Sequence, residues 1–137
     1  MPLDKTKYKI LKLDCPAEKV LRITFDRPET YNSLDADGHR ELAYIWREID
    51  DDPTINSVLL TGAGKAFSSG GDFEMIEKVM DDFDFRAQIW KEAKDLVYNV
   101  INCSKPIVSA INGPAVGAGL VAGLLADISI AGKKAKI

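Results

Sequence analysis

The segment KPIVSAINGPAVGAGLVAGLLADISI, Lys105 to Ile130, reads as strand, turn, helix and second strand. Its apolar, β-branched run at Ile107 to Ile111 predicts a buried strand, and Asn112-Gly113-Pro114 marks a turn. Gly117-Ala118-Gly119 then opens an unbroken apolar helix. Small residues at a helix mouth leave backbone N–H groups accessible. The first N–H groups of a helix have no intrahelical partner and lie at the positive end of its dipole, so an anion or a developing oxyanion can settle there.

Working upstream, Ser57 to Thr61 reads as a strand that runs into a second small-residue turn, GAGKAFSSGGDF, Gly62 to Phe73. Before it, Asp35 is a suitable N-cap for a helix with Leu42, Ile45, Trp46 and Ile49 on one face, ended by Asp50-Asp51-Asp52-Pro53. A short helical turn is expected after Asp72, and Phe85 to Asn102 places Ile89, Ala93, Leu96, Val97 and Val100 on one helical face. At the N-terminus, Tyr8 to Leu13 and Val20 to Phe25 read as a hairpin joined by a turn over Asp14 to Lys19. Ile128 to Ala131 is the last expected strand. The order suggests an α/β fold of strand pairs and crossover helices stacked as a spiral, without an internal linker.

The chain has 137 residues and a net charge of −3. A domain of this size buries roughly two-thirds of the surface its unfolded form exposes. The charge gives no electrostatic reason to bind nucleic acid, which requires a concentrated basic face. Cys15 and Cys103 have no metal-ligand spacing and read as reduced thiols, which fits a cytoplasmic setting, and no metal is expected. The N-terminus, MPLDKTKYKI, has neither a signal-peptide apolar core nor a transit-peptide composition. The apolar run Ala115 to Ala126 is shorter than the ~20 residues of a membrane span and is expected to be a core helix.

Glycine-rich turns invite other chemistries. A phosphate loop requires Ser or Thr after its lysine, but Ala66 follows Lys65. Gly117-x-Gly119-x-x-Ala122 satisfies a dinucleotide glycine pattern, but no acidic residue after Asp127 is present to hold a ribose. A serine-hydrolase elbow needs Gly two residues before the nucleophile, where Ser68 has Ala66. The single histidine, His39, reads as a surface residue on a charged helix.

Three motifs in one order, RPETYNSL, GAGKAFSSGGDF and KPIVSAINGPAVGAGL, make the chain resemble the N-terminal half of the crotonase, or enoyl-CoA hydratase/isomerase, superfamily. The resemblance implies a crotonase-like (ClpP/crotonase) α/β spiral of β-β-α units. Residues 1–137 would be the N-terminal portion of one such domain, which is normally about twice as long. The residues Ala131 to Ile137 look like a turn into another strand, so the chain is expected to stop within the fold. The resemblance also implies an acyl-CoA thioester substrate, coenzyme A being part of that substrate with no separate cofactor, and assembly as homotrimers or hexamers.

Carried over position by position, the resemblance implies an oxyanion hole made by the backbone N–H groups of Gly71 and Ala118. Both positions need small residues for a thioester carbonyl to approach within about 3 Å. Coenzyme A is expected across the GAGKAFSSGGDF loop, touching Ala66 and Ser69, with the Thr30 to Leu34 segment, Thr30 and Asn32 above all, touching its nucleotide end. Asp72, Phe73 and Glu74 are expected beside the acyl group or pantetheine. Lys65 is either a phosphate contact or a solvated lysine, and Asp72 and Glu74 are either proton donors or helix caps.

The position that carries the first hydratase glutamate, three residues after Ala118, is Val121, and a valine moves no proton. The second glutamate position falls beyond Ile137. A single-base isomerase-type reaction therefore stands beside hydration, and a non-catalytic acyl-CoA-binding or scaffold relative stands beside both. Asp81, Asp82 and Asp84 read as caps of the long helix, with Phe83 and Phe85 as an alternative acyl-pocket wall. Trp46, Trp90 and Tyr98 read as packing or oligomer contacts.

Overall fold

The computed structural model describes residues 2–137. The elements are β1 Leu11–Ala17, β2 Val20–Phe25, α1 Ala36–Asp51, β3 Ser57–Gly62, α2 Phe73–Asp81, α3 Phe83–Ile101, β4 Ile107–Ile111, α4 Gly117–Leu124 and β5 Ile128–Ala131. The strands form one sheet in the order β1-β2-β3-β4-β5, antiparallel between β1 and β2 and parallel thereafter. Each parallel crossover advances by one strand. With the usual right-handed crossover the helices collect on one face, and the chain winds as the α/β spiral expected from its motifs.

Alternation along the strands builds the covered face. Leu21, Ile23, Phe25, Val58, Leu60, Ile107, Ser109 and Ile111 are buried, while the residues alternating with them are half-buried. Helix α1 lays Leu42, Ile45, Trp46 and Ile49 into the same core, each fully buried. Such burial contributes about 1.5–3 kcal/mol per large aliphatic side chain. Trp46 meets the packing expectation, its indole donating to the Leu42 carbonyl at 2.8 Å. Trp90 and Tyr98 do not pack: they are 69% and 56% exposed.

The first strand departs from expectation. It runs Leu11–Ala17 rather than Tyr8 to Leu13, because the Glu41 carboxylate takes the N–H groups of Lys9, Ile10 and Leu11. The turn contracts to Glu18 and Lys19, with Lys19 at φ 58°. Pro16 is tolerated because β1 is an edge strand and carries an irregularity between Asp14 and Ala17.

His39 is buried, which corrects its reading as a surface residue. Its Nδ1 lies 2.9 Å from Glu92 Oε2, while Arg40 and Gln88 donate to Glu92 Oε1 at 3.1 and 3.0 Å. Burial pushes the Glu92 carboxyl up, but the Gln88, His39 and Arg40 contacts outweigh it and hold the acid below its ordinary value. This cluster joins α1 to α3, and nothing in local sequence announces a partner 53 residues away.

Helix α4 is a core helix on one side only. Gly119, Ala122 and Gly123 face inward, while Val121 and Leu124 are 39% and 54% exposed. A side chain on Gly119 would collide with Ser68, and a Cβ on Gly123 would sit 3.1 Å from Phe67 Cε1. The small residues therefore let α4 lie close against the Phe67-Ser68 segment. Among the described residues no helix is long and apolar enough to cross a membrane.

Candidate active site

Two loops meet at the C-terminal ends of neighbouring parallel strands: Ala63 to Asp72 after β3, and Asn112 to Val116 after β4. Asn112 fastens them at their origin. Its Oδ1 accepts from the Gly62 N–H at 3.1 Å, and its Nδ2 donates to the Gly64 and Ala66 carbonyls at 3.2 and 3.1 Å. Further along, Phe67 N–H donates to the Pro114 carbonyl at 2.9 Å and Val116 N–H to the Ser68 carbonyl at 2.8 Å. Ser68 and Ala115 form a parallel bridge there.

The opposite edge of the Ala63 to Asp72 loop is bound to the segment after β2. Leu34 N–H donates to the Gly70 carbonyl at 2.8 Å, and Asp72 N–H to the Leu34 carbonyl at 2.9 Å. Those bonds place residues 70 and 72 toward Leu34, so the N–H of Gly71 faces away from it, as alternation in a parallel bridge requires. Asp72 then caps α2, its Oδ1 accepting the Met75 N–H at 2.9 Å. Its role as a helix cap is thus visible in the contacts, as is that of Asp82, which accepts the Phe85 N–H at 3.0 Å.

Gly70 and Gly117 are where the two loops touch. Both have positive φ, 83° and 59°, which glycine adopts without steric cost. A Cβ on Gly117 would lie 3.3 Å from Gly70 Cα and 3.9 Å from the Gly71 nitrogen. Any side chain at 117 would therefore crowd the Gly70-Gly71 backbone. Ala118 follows in the first turn of α4, where N–H groups lack helical acceptors. Among the described residues neither the Gly71 nor the Ala118 N–H is given to a backbone or side-chain acceptor.

The other expected site residues divide. Thr30, Ser69, Gly71, Asp72 and Phe73 line one open groove of about 530 Å³, together with Tyr31, Ser33 and Ile76. Glu74 lies instead on a neighbouring groove of about 280 Å³ that Asp72 also borders. Two of the expected residues border neither groove. Asn32 is 1% exposed, and its side chain is spent on backbone: it accepts from Arg27 N–H at 2.9 Å and donates to the Ala63 and Ala66 carbonyls, both at 2.9 Å. Ala66 is buried beneath the same loop, its carbonyl taken by Asn32 and Asn112. Both shape the loop from below. Lys65 is exposed, and Val121 stands on the outer side of α4.

Sequence reasoning missed Ile76 as a groove residue and expected Tyr31 only as part of the Thr30 to Leu34 segment. A left-handed conformation at Tyr31, φ 54°, sets the direction of its side chain, and nothing in apolar periodicity reports it. Phe85 borders the smaller groove, whereas Phe83 is 71% exposed and borders neither.

Comparison with known proteins agrees with this architecture. The family model described as enoyl-CoA hydratase/isomerase matches residues 16–137. The chain is 34% identical over 119 residues to 1,2-epoxyphenylacetyl-CoA isomerase of Escherichia coli (strain K12), covering 85% of this chain and 45% of that protein. It is 37% identical over 118 residues to (E)-benzylidenesuccinyl-CoA hydratase of Thauera aromatica, with the same two coverages, 85% and 45%. The crystal structure of an enoyl-CoA hydratase/isomerase from Mycobacterium paratuberculosis superimposes with a TM-score of 0.85 at 37% identity, over 89% of this chain and 49% of that one. The chain thus spans about half the length of the relatives it matches. With its crotonase fold and the match over residues 16–137, the chain belongs to the enoyl-CoA hydratase/isomerase family.

Proposed function

We propose that this chain supplies the oxyanion site of an acyl-CoA thioester enzyme of the hydratase/isomerase type, with Gly71 and Ala118 as the donors. One observation carries the reading: two N–H groups without protein acceptors among the described residues lie on loops laced together. Removing a proton beside a thioester carbonyl, or adding a nucleophile at the β-carbon of an enoyl thioester, moves negative charge onto the carbonyl oxygen. Donors fixed by backbone stabilise that charge without reorganising, each lowering the barrier by about 3 kcal/mol. Coenzyme A enters as part of the substrate, its pantetheine arm passing Thr30 and Ser69 along the groove.

Proton transfer falls to another group. Val121 occupies the family glutamate position, and Asp72 Oδ1 is engaged in capping α2. We assign the acid–base step to a carboxylate outside these 137 residues, in a hydration or single-base isomerisation. Assembly as a homotrimer or hexamer belongs to the same proposal, as does a reducing cytoplasmic setting, for which the free thiols Cys15 and Cys103 are the support. Val121 also favours a second reading, an acyl-CoA-binding relative that keeps the oxyanion grip without a proton relay. Turnover of crotonyl-CoA separates the two.

The grip itself is tested with acetoacetyl-CoA, whose enolate has its own ultraviolet band. Ala118→Pro deletes one donor in the first turn of a helix, where proline is tolerated. The expected result is a bound enolate in the unaltered chain and its loss in Ala118→Pro, with the circular dichroism spectrum retained. An enolate band of equal strength in both proteins contradicts the assignment. Gly71→Pro, which deletes the other donor, gives an independent check if α4 is disturbed.

A further inference from the structure

We infer that the solvent side of α3 is an interface between two copies of this chain, which meet with their α3 helices antiparallel across a two-fold axis. The inference goes beyond the acyl-CoA reading and does not depend on it. Helix α3 buries Ile89, Leu96 and Val100, and it meets α1 through Glu92 and Asn99. Its other side repeats a second apolar pattern. Phe83, Ala87, Trp90, Lys94, Tyr98 and Ile101 follow one another at intervals of three or four residues, so they form one stripe along about 28 Å of helix. All six are exposed, the four large apolar ones by 56% to 71%.

A surface helix ordinarily turns charge to water. Helix α1 does so, its exposed residues being Asp37, Arg40, Arg47 and Asp51. Helix α3 instead carries a seam of the kind that another helix covers.

The stripe is complementary to itself when reversed, which is what a two-fold contact demands. An antiparallel pair centred at the level of Glu92 sets Phe83 level with the partner's Ile101, Ala87 with the partner's Tyr98, and Trp90 with the partner's Lys94. A small side chain thus meets a large one, and an aromatic face meets a cation. Both members of the second pair are free for it. Among the described residues Lys94 makes no ion pair, and the cations that lie over rings sit on Tyr44, Phe83 and Phe85, which leaves Trp90 bare. Like charge does not oppose the contact at its centre. Lys91, the other exposed cation there, is drawn toward α1 by Asp95 at 2.6 Å and by the Tyr44 ring.

An aromatic side chain buries about 150–250 Å², so the exposed parts of Phe83, Trp90 and Tyr98 in two copies, with Ile101, come to roughly 1,000 Å². That is the lower end of specific association. The pair is therefore expected to be reversible, with a dissociation constant on the order of 1–100 μM. A two-fold contact doubles whichever assembly carries it.

The test is sedimentation equilibrium of the 137-residue chain at concentrations on either side of that range, where a doubling of mass is expected. Trp90→Lys, which sets lysines level with each other across the axis, should weaken the association about 30-fold or more. Adding Lys94→Glu turns that repulsion into attraction and should recover about 10-fold of the loss. Trp90 and Lys94 are exposed, so unchanged circular dichroism and thermal midpoints are expected and show that the variants are folded. A chain that stays monomeric throughout overturns the inference. So does association that Trp90→Lys leaves untouched, which would place the contact elsewhere. A double variant that associates no more tightly than Trp90→Lys also overturns it, by rejecting the antiparallel register. Each of these failures leaves the acyl-CoA reading standing.

Discussion

Gly117 carries two constraints at once. Its φ of 59° disfavours any side chain, and a Cβ there would lie 3.3 Å from Gly70 Cα and 3.9 Å from the Gly71 nitrogen. Gly117→Ala is therefore expected to destabilise the chain by about 1–2 kcal/mol through backbone strain. It should also abolish the bound acetoacetyl-CoA enolate. Urea unfolding and the ultraviolet band check the two effects separately, and a stable variant that still holds the enolate contradicts the geometry. The glycines were legible as a cluster of small residues at a helix mouth, but not their division of labour: Gly117 supplies a conformation, Gly119 a close contact with Ser68. Asn32 was legible as important, but its hold on the following loop was not. Its amide turns inward because its own backbone and that of Tyr31 are left-handed, a feature set by the loop it binds 31 to 35 residues later.

Among the elements, those with strong periodicity were readable. Helices α1 and α3 and strands β2 to β5 emerge within a few residues of expectation because their burial is organised along single faces. Strand β1 was displaced because the Glu41 carboxylate, an element away, claims the N–H groups of Lys9, Ile10 and Leu11 at and just before its start. The contact between α1 and α3 was equally hidden, since it rests on Glu92 meeting His39 and Arg40. The Glu92 carboxyl is lower in the folded chain than in the unfolded one, so its contribution is complete above the ordinary carboxylate value. It is lost as pH falls through the depressed folded value. Glu92→Gln is expected to lower stability by about 1–3 kcal/mol at neutral pH. It should also flatten the loss of stability on acidification. Urea midpoints of both proteins from neutral pH down through the carboxylate range measure this. Parallel slopes would remove Glu92 from the acid response.

At the scale of the molecule, strands in sequential order bring the loops after β3 and β4 side by side, and Asn112, Ser68 and the Leu34 bridge lock them. The spiral could be anticipated from motif order; the spacing of two particular amides could not, because it depends on how closely α4 seats against Phe67 and Ser68. Whether those amides act on one atom is open to direct observation by amide NMR during titration with acetoacetyl-CoA. Two hydrogen bonds to one enolate oxygen predict that the Gly71 and Ala118 amide protons both move downfield, together and with the same dissociation constant. Saturable thioester binding that leaves either amide proton unmoved would contradict a shared oxyanion site.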